Sequence, residues 1–167
     1  PVALMTEVDK VWDRLAFRTP WSRKRERDRM QAAVARLVSW LNSNPRGLVG
    51  TEVDFKVVAG TGADEVELVG RADRIELDET GTAIVVDFKS GRRPPTGPEV
   101  VGNLQLALYQ YAVDAGALDR LVGHQVSSGG AELVQLALLD GGPDAVVQAQ
   151  PAHQEHGNVV DPHVDVC

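Results

Sequence analysis

The clearest indication of the fold comes from two runs of sequence separated by a short turn. They are DEVELVGRADRIEL at residues 64–77 and TAIVVDFK at residues 82–89. Both runs are rich in β-branched and apolar residues and are bounded by turn residues, which predicts two neighbouring strands. The first run carries Asp73, and the second carries Asp87 and Lys89. Because side chains alternate between the two faces of a strand, Asp87 and Lys89 project on the same side. Two carboxylates and an ammonium on adjacent strands indicate a shared functional site.

The paired carboxylates point to a divalent cation. Two like charges held side by side repel each other, and a divalent cation relieves that repulsion. Carboxylate oxygens are the ligands that hard ions such as Mg²⁺ and Mn²⁺ prefer. Asp73 and Asp87 are therefore predicted to hold Mg²⁺ or Mn²⁺ for the hydrolysis of a phosphodiester bond.

The surrounding pattern predicts an α/β fold with a mixed central sheet, in which an antiparallel three-strand meander is flanked by helices. The predicted helices are 4–17, 22–44 (capped by Ser22, with Pro20 before it) and 99–117, and the predicted strands are 51–59, 64–77, 82–89, 131–139 and 144–150. In the third helix, the residues expected to face inward are Val101, Leu104, Leu108, Tyr111 and Ala112. One domain is expected over residues 1–150, with a helical lead-in at 1–45, a catalytic core at 50–117, late strands at 131–150, and a polar tail at 151–167.

The register of the meander decides whether the acids meet. With a four-residue turn between the first two strands, Glu52 pairs with Arg71 and has Asp73 as its diagonal neighbour. Glu52 is then a candidate for an added metal ligand, and a surface strand residue is the alternative. In the second hairpin, Asp73 lies across from Asp87 if the loop has five residues, Asp78–Thr82, or contains an equivalent bulge. We therefore predict that loop.

Composition and charge restrict the function. Hydrophobic residues make up 43% and charged residues 25% of 167 residues, which is typical of one globular domain. The formal charge of −7 argues against a free-standing protein that grips nucleic acid by charge alone. Six basic and two acidic side chains lie between Arg18 and Arg29. They either form ion pairs on a solvated helix or contact phosphates.

The ends of the chain and its single cysteine bear on location. No apolar run reaches the length of about 18 residues that a membrane span needs, and no signal peptide precedes the first helix. The chain begins with Pro1, so we interpret it as part of a larger protein. Cys167 alone forms neither a disulfide framework nor a four-thiolate cluster within this chain. A reducing, cytoplasmic location without membrane contact is expected.

Three motifs, GRADRI at 70–75, VVDFKSG at 85–91 and QLALY at 105–109, resemble the RecB-type nucleases of the PD-(D/E)xK superfamily. These are the nuclease modules of bacterial helicase–nucleases that process double-strand breaks, and the similarity extends to the actinobacterial AdnA/AdnB class. The resemblance implies a restriction-endonuclease-like fold and an Mg²⁺- or Mn²⁺-dependent deoxyribonuclease. It also implies that Asp73 and Asp87 bind the metal and that Lys89 serves the attacking water.

The resemblance assigns further residues to support and DNA contact. Gln105 and Tyr109 lie on one helical face, where they buttress the site or touch nucleic acid, although Tyr109 alternatively caps the core. The arginines predicted to support the site or to meet phosphates are Arg71, Arg92 and Arg93. The four histidines, His124, His153, His156 and His163, all follow the motifs, so the family's upstream histidine is either missing or lies outside this chain.

The sequence thus predicts a metal-dependent DNA nuclease module. Its predicted partners are DNA, a helicase domain of the parent polypeptide that delivers single strands, and a second helicase–nuclease subunit. A catalytically silent scaffold or DNA-end-binding domain of the same fold is the alternative, which the intact Asp73, Asp87 and Lys89 set disfavours. A solitary restriction-type endonuclease is a third possibility, against which the absence of a base-reading segment weighs.

Overall fold

The computed structural model describes residues 2–16, 19–60, 62–91, 93–137 and 144–152. The helices are α1 (Val2–Trp12), α2 (Pro20–Ser43), α3 (Gly97–Val101), α4 (Leu104–Asp114) and α5 (Asp119–Val122), and the strands are β1 (Gly47–Ala59), β2 (Val66–Leu77), β3 (Ala83–Lys89), β4 (Ser128–Gln135) and β5 (Val146–Pro151). The strands form one sheet in the order β1-β2-β3-β4-β5, in which only β3 and β4 run parallel. The predicted mixed sheet with its antiparallel three-strand meander is confirmed. Among the described helices, none is both long and apolar enough to cross a membrane.

The N-cap of α2 lies three residues before the predicted cap, Ser22. Thr19 is the N-cap, and its hydroxyl accepts a hydrogen bond from Ser22 N at 3.1 Å while Thr19 N donates to Ser22 Oγ at 3.1 Å. Pro20 therefore begins the helix, a position where its missing N–H needs no partner. Ser22 is the third helical residue and completes a capping box.

The basic segment at the start of α2 holds α1 in place. Arg27 pairs with Asp9, and its guanidinium carbon lies 5.7 Å from the centroid of the Trp12 ring. The other ion pairs of this segment are Arg23 with Asp13, Lys24 with Asp28, and Arg29 with Glu26. The ion-pair interpretation of this segment is thus supported, and most of its charge is already neutralised within the protein.

Buried side chains lie on both faces of the sheet. On one face, Ile75 and Val85 pack against Leu106 and Tyr109 of α4. On the other face, residues of β3 and β4 pack against Trp40 of α2. Because the face alternates along β3, the residues that continue the phase of Val85 toward the end of the strand, Asp87 and Lys89, point to the α4 side.

A fully buried carboxylate, Glu76, lies on the α2 face of the sheet. Asn44 Nδ2 donates to both of its oxygens at 2.6 and 2.8 Å. Arg46 Nε lies 2.8 Å and Arg74 Nε lies 2.5 Å from the same carboxylate. Arg46 also pairs with Glu132 at 2.6 Å. Both Glu76 carboxylate oxygens therefore have charged or polar partners, as a buried carboxylate requires. Because Asn44 follows α2 directly, the same network joins the end of α2 to the sheet.

The helix predicted over 99–117 is two helices, separated at Gly102 and Asn103. Asn103 caps α4 by accepting a hydrogen bond from Leu106 N at 3.1 Å. The predicted inward face is wrong for all but one of its residues, because α4 turns Leu106 and Tyr109 toward the sheet. Exposed instead of buried are Val101, Leu104, Leu108 and Tyr111; Ala112 is buried as predicted.

The first hairpin has a different register from the predicted one. Arg71 pairs with Asp54, not with Glu52, because the connection between Ala59 and Val66 is two residues longer than the predicted turn. A short 3₁₀ turn at Gly62–Asp64 occupies the added length. The second hairpin follows the prediction: Leu77 pairs with Ala83, so the loop is the five-residue segment 78–82.

Asp78 organises this five-residue loop. One carboxylate oxygen accepts hydrogen bonds from Thr80 N at 2.9 Å and Thr82 N at 3.0 Å, and the two threonine hydroxyls also donate to the carboxylate, each at 2.7 Å. Gly81 has φ +82°, which an L side chain rarely adopts. Hydrogen bonds from Thr80 and Thr82 lower the pKa of Asp78 to about 2.

We expect Asp78→Ala to lower the urea midpoint of unfolding at pH 7. Because the pKa of Asp78 falls from 3.8 to about 2 on folding, its contribution is present above pH 3.8 and disappears as the pH falls toward about 2. Urea denaturation of the wild-type and Asp78→Ala chains at pH 7, 4 and 2 measures the difference between their midpoints. This difference should become smaller as the pH falls. The matched control is Glu79→Ala, at an exposed neighbouring carboxylate. A difference that is equal at pH 7 and pH 2 would contradict the role of the Asp78 charge.

Candidate active site

Asp87 and Lys89 lie together at the end of β3, facing α4. Asp87 is 3% exposed, and its Oδ2 is 2.7 Å from Lys89 Nζ. Although this distance suits an ion pair, Oδ2 has no aligned hydrogen-bond donor, so the angles of the contact are poor for a hydrogen bond. Asp87 thus keeps a buried oxygen that is only partly satisfied.

Asp73 reaches the same end of the sheet through a local irregularity. The β1–β2 ladder skips the pair formed by Glu52 and Asp73, and Glu52 has φ +51°. Ala72 and Ile75 lie in the same buried cluster although they are three residues apart, so the side-chain phase changes between them. Such irregularities re-aim side chains in strands. Asp73 follows the phase of Ile75 and therefore projects to the α4 side.

Asp73 also ties β2 to β3. Its Oδ2 accepts a hydrogen bond from Phe88 N at 2.8 Å. The paired residues Arg74 and Val86 mark the end of the regular β2–β3 ladder, and one further step places Asp73 across from Asp87. The side chain of Asp73 thus takes the place of a backbone acceptor where the two strands diverge.

The pKa shifts at this site reflect burial and crowded charge. Burial raises the pKa of Asp87, Lys89 opposes that rise, and the charge of Asp73 adds to it. Burial also raises the pKa of Tyr109, a hydrogen bond with Gln105 lowers it, and the charges of Asp87 and Asp73 raise it. Both carboxylates therefore act on the same small region in front of α4.

Gln105 and Tyr109 brace the site from α4. Gln105 Nε2 donates to Asp87 Oδ1 at 3.1 Å, and Gln105 Oε1 accepts from Lys89 Nζ at 3.2 Å. Gln105 Nε2 also donates to the Tyr109 hydroxyl at 2.8 Å, and that hydroxyl donates to Arg71 O at 3.0 Å. Four residues apart on one helical face, the two side chains link Asp87 and Lys89 to the backbone of β2.

The donor set at this site fits a divalent cation. Asp87 Oδ2 is buried and lacks an aligned donor, and Asp73 contributes a second carboxylate nearby. Oxygen ligands of this kind suit Mg²⁺ or Mn²⁺, which complete their coordination with water and phosphate oxygens. Within the described ranges, no three His, Cys, Asp or Glu side chains form a metal-binding group. Asp73 and Asp87 are the two carboxylates that the described part of the chain would offer to such an ion here.

Glu52 does not join the two aspartates. Its side chain is 67% exposed and lies 3.9 Å from Arg71 Nη1. Arg71 is itself held on the surface by Asp54, with contacts of 2.6 and 3.1 Å. Glu52 and Arg71 are therefore neighbours, as predicted, but in a register that differs from the predicted one. Neither side chain belongs to the pair formed by Asp73 and Asp87.

The remaining predicted residues lie away from the carboxylates or outside the described part. Arg93 is exposed, and its charge, after hydrogen bonds from Thr96, helps to lower the pKa of Glu99 at the start of α3. His124 is exposed in a loop. Residues outside the described ranges are Arg92, His153, His156, His163 and Cys167.

One supporting residue was missed by sequence analysis. Gln135, at the end of β4, is 2% exposed, and its side-chain amide donates to Gly91 O just beyond the VVDFKSG motif. Leu136 N donates to Lys89 O at 3.0 Å. A polar residue between apolar neighbours in a largely apolar predicted strand was the available signal, because a buried amide needs hydrogen-bond partners.

Comparison with known proteins gives one family. The profile of the PD-(D/E)XK nuclease superfamily matches residues 1–164. No curated protein matches. Among 23 matching chains of known structure, the crystal structure of SSO0001 is 20% identical, with a TM-score of 0.47. The alignment covers 82% of this chain and 55% of that one, so the chain spans about half the length of that relative.

The family match covers nearly the whole chain and includes α4 and the two strands of the second hairpin, β2 and β3. Nucleases of this superfamily generally use divalent metals such as Mg²⁺, in agreement with the two-carboxylate donor set. The chain belongs to the PD-(D/E)XK nuclease superfamily.

Proposed function

We propose that this chain is a metal-dependent deoxyribonuclease module in which Asp73, Asp87 and Lys89 carry the hydrolysis of a phosphodiester bond. The observation that carries the proposal is the buried, poorly satisfied oxygen of Asp87, which lies 2.7 Å from the Lys89 ammonium and within the field of Asp73. A buried carboxylate oxygen that lacks an aligned donor is unfavourable for stability, which favours a functional role for Asp87 Oδ2.

Each residue has a separate role in this proposal. Mg²⁺ or Mn²⁺ held by Asp73 and Asp87 would neutralise charge on the phosphate and lower the pKa of a bound water. Lys89 positions the attacking water and stabilises negative charge that develops on the phosphoryl oxygens. Gln105 holds both Asp87 and Lys89, so it keeps the carboxylate and the ammonium at fixed separation.

The proposed substrate is single-stranded DNA delivered by a helicase. The formal charge of −7 and the internal ion pairs of the α2 segment give the chain little positive charge with which to capture DNA alone. A RecB-type or AdnA/AdnB-type assembly would supply strands from a motor domain of the parent polypeptide and a second helicase–nuclease subunit. We place this module, residues 1–150 with a polar tail at 151–167, in cytoplasmic double-strand-break repair.

The first prediction concerns cleavage. We expect Asp87→Asn to reduce Mn²⁺-dependent cleavage of a labelled single-stranded oligonucleotide by about 10²-fold or more, because the variant loses a metal ligand while it keeps the acceptor for Gln105. Asp64→Asn, at an exposed aspartate of the 3₁₀ turn, is the matched control and should cleave at the wild-type rate. Equal rates for Asp87→Asn and wild type would exclude the proposed site. Inactivity of all three chains would favour the silent scaffold.

The second prediction concerns metal binding without catalysis. At Mn²⁺ concentrations about ten times its Kd, we expect the melting temperature of the wild-type chain to rise by about 4 °C, because the ion binds the folded state only. The Asp87→Asn chain should shift by less than about 1 °C. Thermal denaturation with and without EDTA measures both shifts. Equal shifts in the two chains would place the binding of Mn²⁺ elsewhere.

The third prediction concerns Glu52. Because its carboxylate is exposed beside Arg71 and is not grouped with the two aspartates, Glu52→Gln should keep cleavage within about twofold of wild type. The measurement is the rate on the same oligonucleotide at saturating Mn²⁺. A loss as large as that of Asp87→Asn would instead identify Glu52 as a ligand in the loaded enzyme.

A further inference from the structure

A groove of about 530 Å³ lies between the β1–β2 hairpin and α4, beside the catalytic carboxylates. Its apolar lining comes from both sides: Phe55, Leu68 and Val69 on the hairpin, and Leu104 and Leu108 on the helix. Gln105 and Tyr109 form the part of the lining that also braces the catalytic residues. The volume falls in the range of pockets that hold small organic ligands.

The hairpin wall of the groove depends on Gly70. A Cβ at this position would overlap the Phe55 ring, so the absence of a side chain allows the ring to lie against the backbone of β2. The Phe55 ring also meets Tyr109 edge to face, with 5.8 Å between centroids. This contact fixes the aromatic wall relative to α4.

The helix wall consists of leucines that the folded protein leaves uncovered. Leu104 is 70% exposed and Leu108 is 38% exposed, although their spacing in the sequence suggested an inward face. They lie one helical turn apart on the same side of α4. Exposed apolar side chains that line a groove, unlike scattered ones, indicate a binding surface.

We propose that this groove binds an unpaired nucleobase of the strand that is being cut, next to the phosphate at Asp73 and Asp87. The inference rests on the proposed nuclease function and names the feature that restricts its substrate to single strands. The groove adjoins the catalytic site, because Gln105 and Tyr109 contribute to both. A flat heteroaromatic ring suits a groove with an aromatic ring on one wall and leucines on the other.

The charges at the groove favour a base over a phosphate as the occupant. Glu67 in the lining pairs with Lys56 at 2.6 Å, and Arg71 pairs with Asp54 at 2.6 Å. Both cations are thus already neutralised, so the groove offers apolar contact more than positive charge. Binding of a base in such a groove tolerates different sequences, since every base has an apolar face.

A groove that binds an unpaired base would also favour single-stranded DNA over duplex DNA. A base in a duplex is stacked and paired, so it enters a groove of this kind only after unstacking and unpairing, which costs a few kcal/mol. An unpaired strand has already lost its pairing. The groove would therefore select single strands in the protein itself, independently of the helicase that delivers them.

Binding by the Asp87→Asn chain tests the proposal without cleavage. The probes are a fluorescent 12-base single strand, the same sequence as a duplex, and single strands with one abasic position moved along the sequence. We expect Leu104→Ala/Leu108→Ala, made in this background, to weaken single-strand binding by about tenfold in fluorescence anisotropy. The matched control Leu121→Ala removes an exposed leucine of α5 outside the groove and should bind within about twofold of the parent.

The abasic scan separates base binding from a general structural effect. In the parent chain, one abasic position should weaken binding by about the same tenfold, and the leucine double variant should be insensitive to that position. Equal affinity for single strand and duplex, or no sensitive abasic position, would overturn the proposal. So would concentration-dependent dimerisation, in sedimentation, that the leucine variant abolishes, because a second copy would then be the occupant.

The cleavage assay and the abasic scan distinguish a wrong groove assignment from a wrong catalytic site. If Asp87→Asn cleaves DNA like the wild type, the proposed catalytic site is wrong whatever the abasic scan shows. If Asp87→Asn is inactive but the scan is flat, only the groove assignment is overturned. Far-UV circular dichroism and the urea midpoint of each variant verify that the altered leucines leave the fold intact, as their exposure leads us to expect.

Discussion

The pairing of β2 with β3 is the constraint on which the site depends. The hydrogen bond from Phe88 N to Asp73 Oδ2 closes this pairing at the point where the two backbones separate. A slip of one residue would move Asp87 and Lys89 to the face of the sheet that α2 covers, because strand side chains alternate. The five-residue loop organised by Asp78, at the opposite end of the hairpin, excludes that slip.

Two buried carboxylates on opposite faces of the sheet differ in how fully their oxygens are paired with donors. Glu76 on the α2 face has an amide and two guanidinium groups on its oxygens, so its charge is neutralised within the protein. Asp87 on the α4 face has one amide donor and a poorly aligned ammonium, and burial raises its pKa. The first arrangement joins α2 to the sheet, and the second leaves an oxygen available to an added cation.

The distribution of charged and apolar side chains near the surface supports the proposed delivery of the substrate by a motor domain. The basic segment of α2 forms ion pairs with acidic side chains of the same region, which leaves it little charge for attracting a polyanion. The exposed leucines of α4 and the Phe55 ring instead give an apolar surface at the edge of the site. Under the proposed function, contact with bases would supplement contact with phosphates, in keeping with an acidic chain.

The order of the elements, the mixed sheet, the five-residue loop and the proximity of Asp73 to Asp87 were predictable from the amino-acid sequence, because strand periodicity and turn residues are local signals. Four features were not predictable in this way: the register of β1, the phase change at Asp73, the break of the predicted helix at Gly102 and the buried amide of Gln135. These features depend on contacts between segments that are distant in the chain. The exposure of Leu104 is the clearest case: its apolar spacing is typical of a buried face, but packing of α4 against β3 and β4 places Leu106 and Tyr109 inward instead.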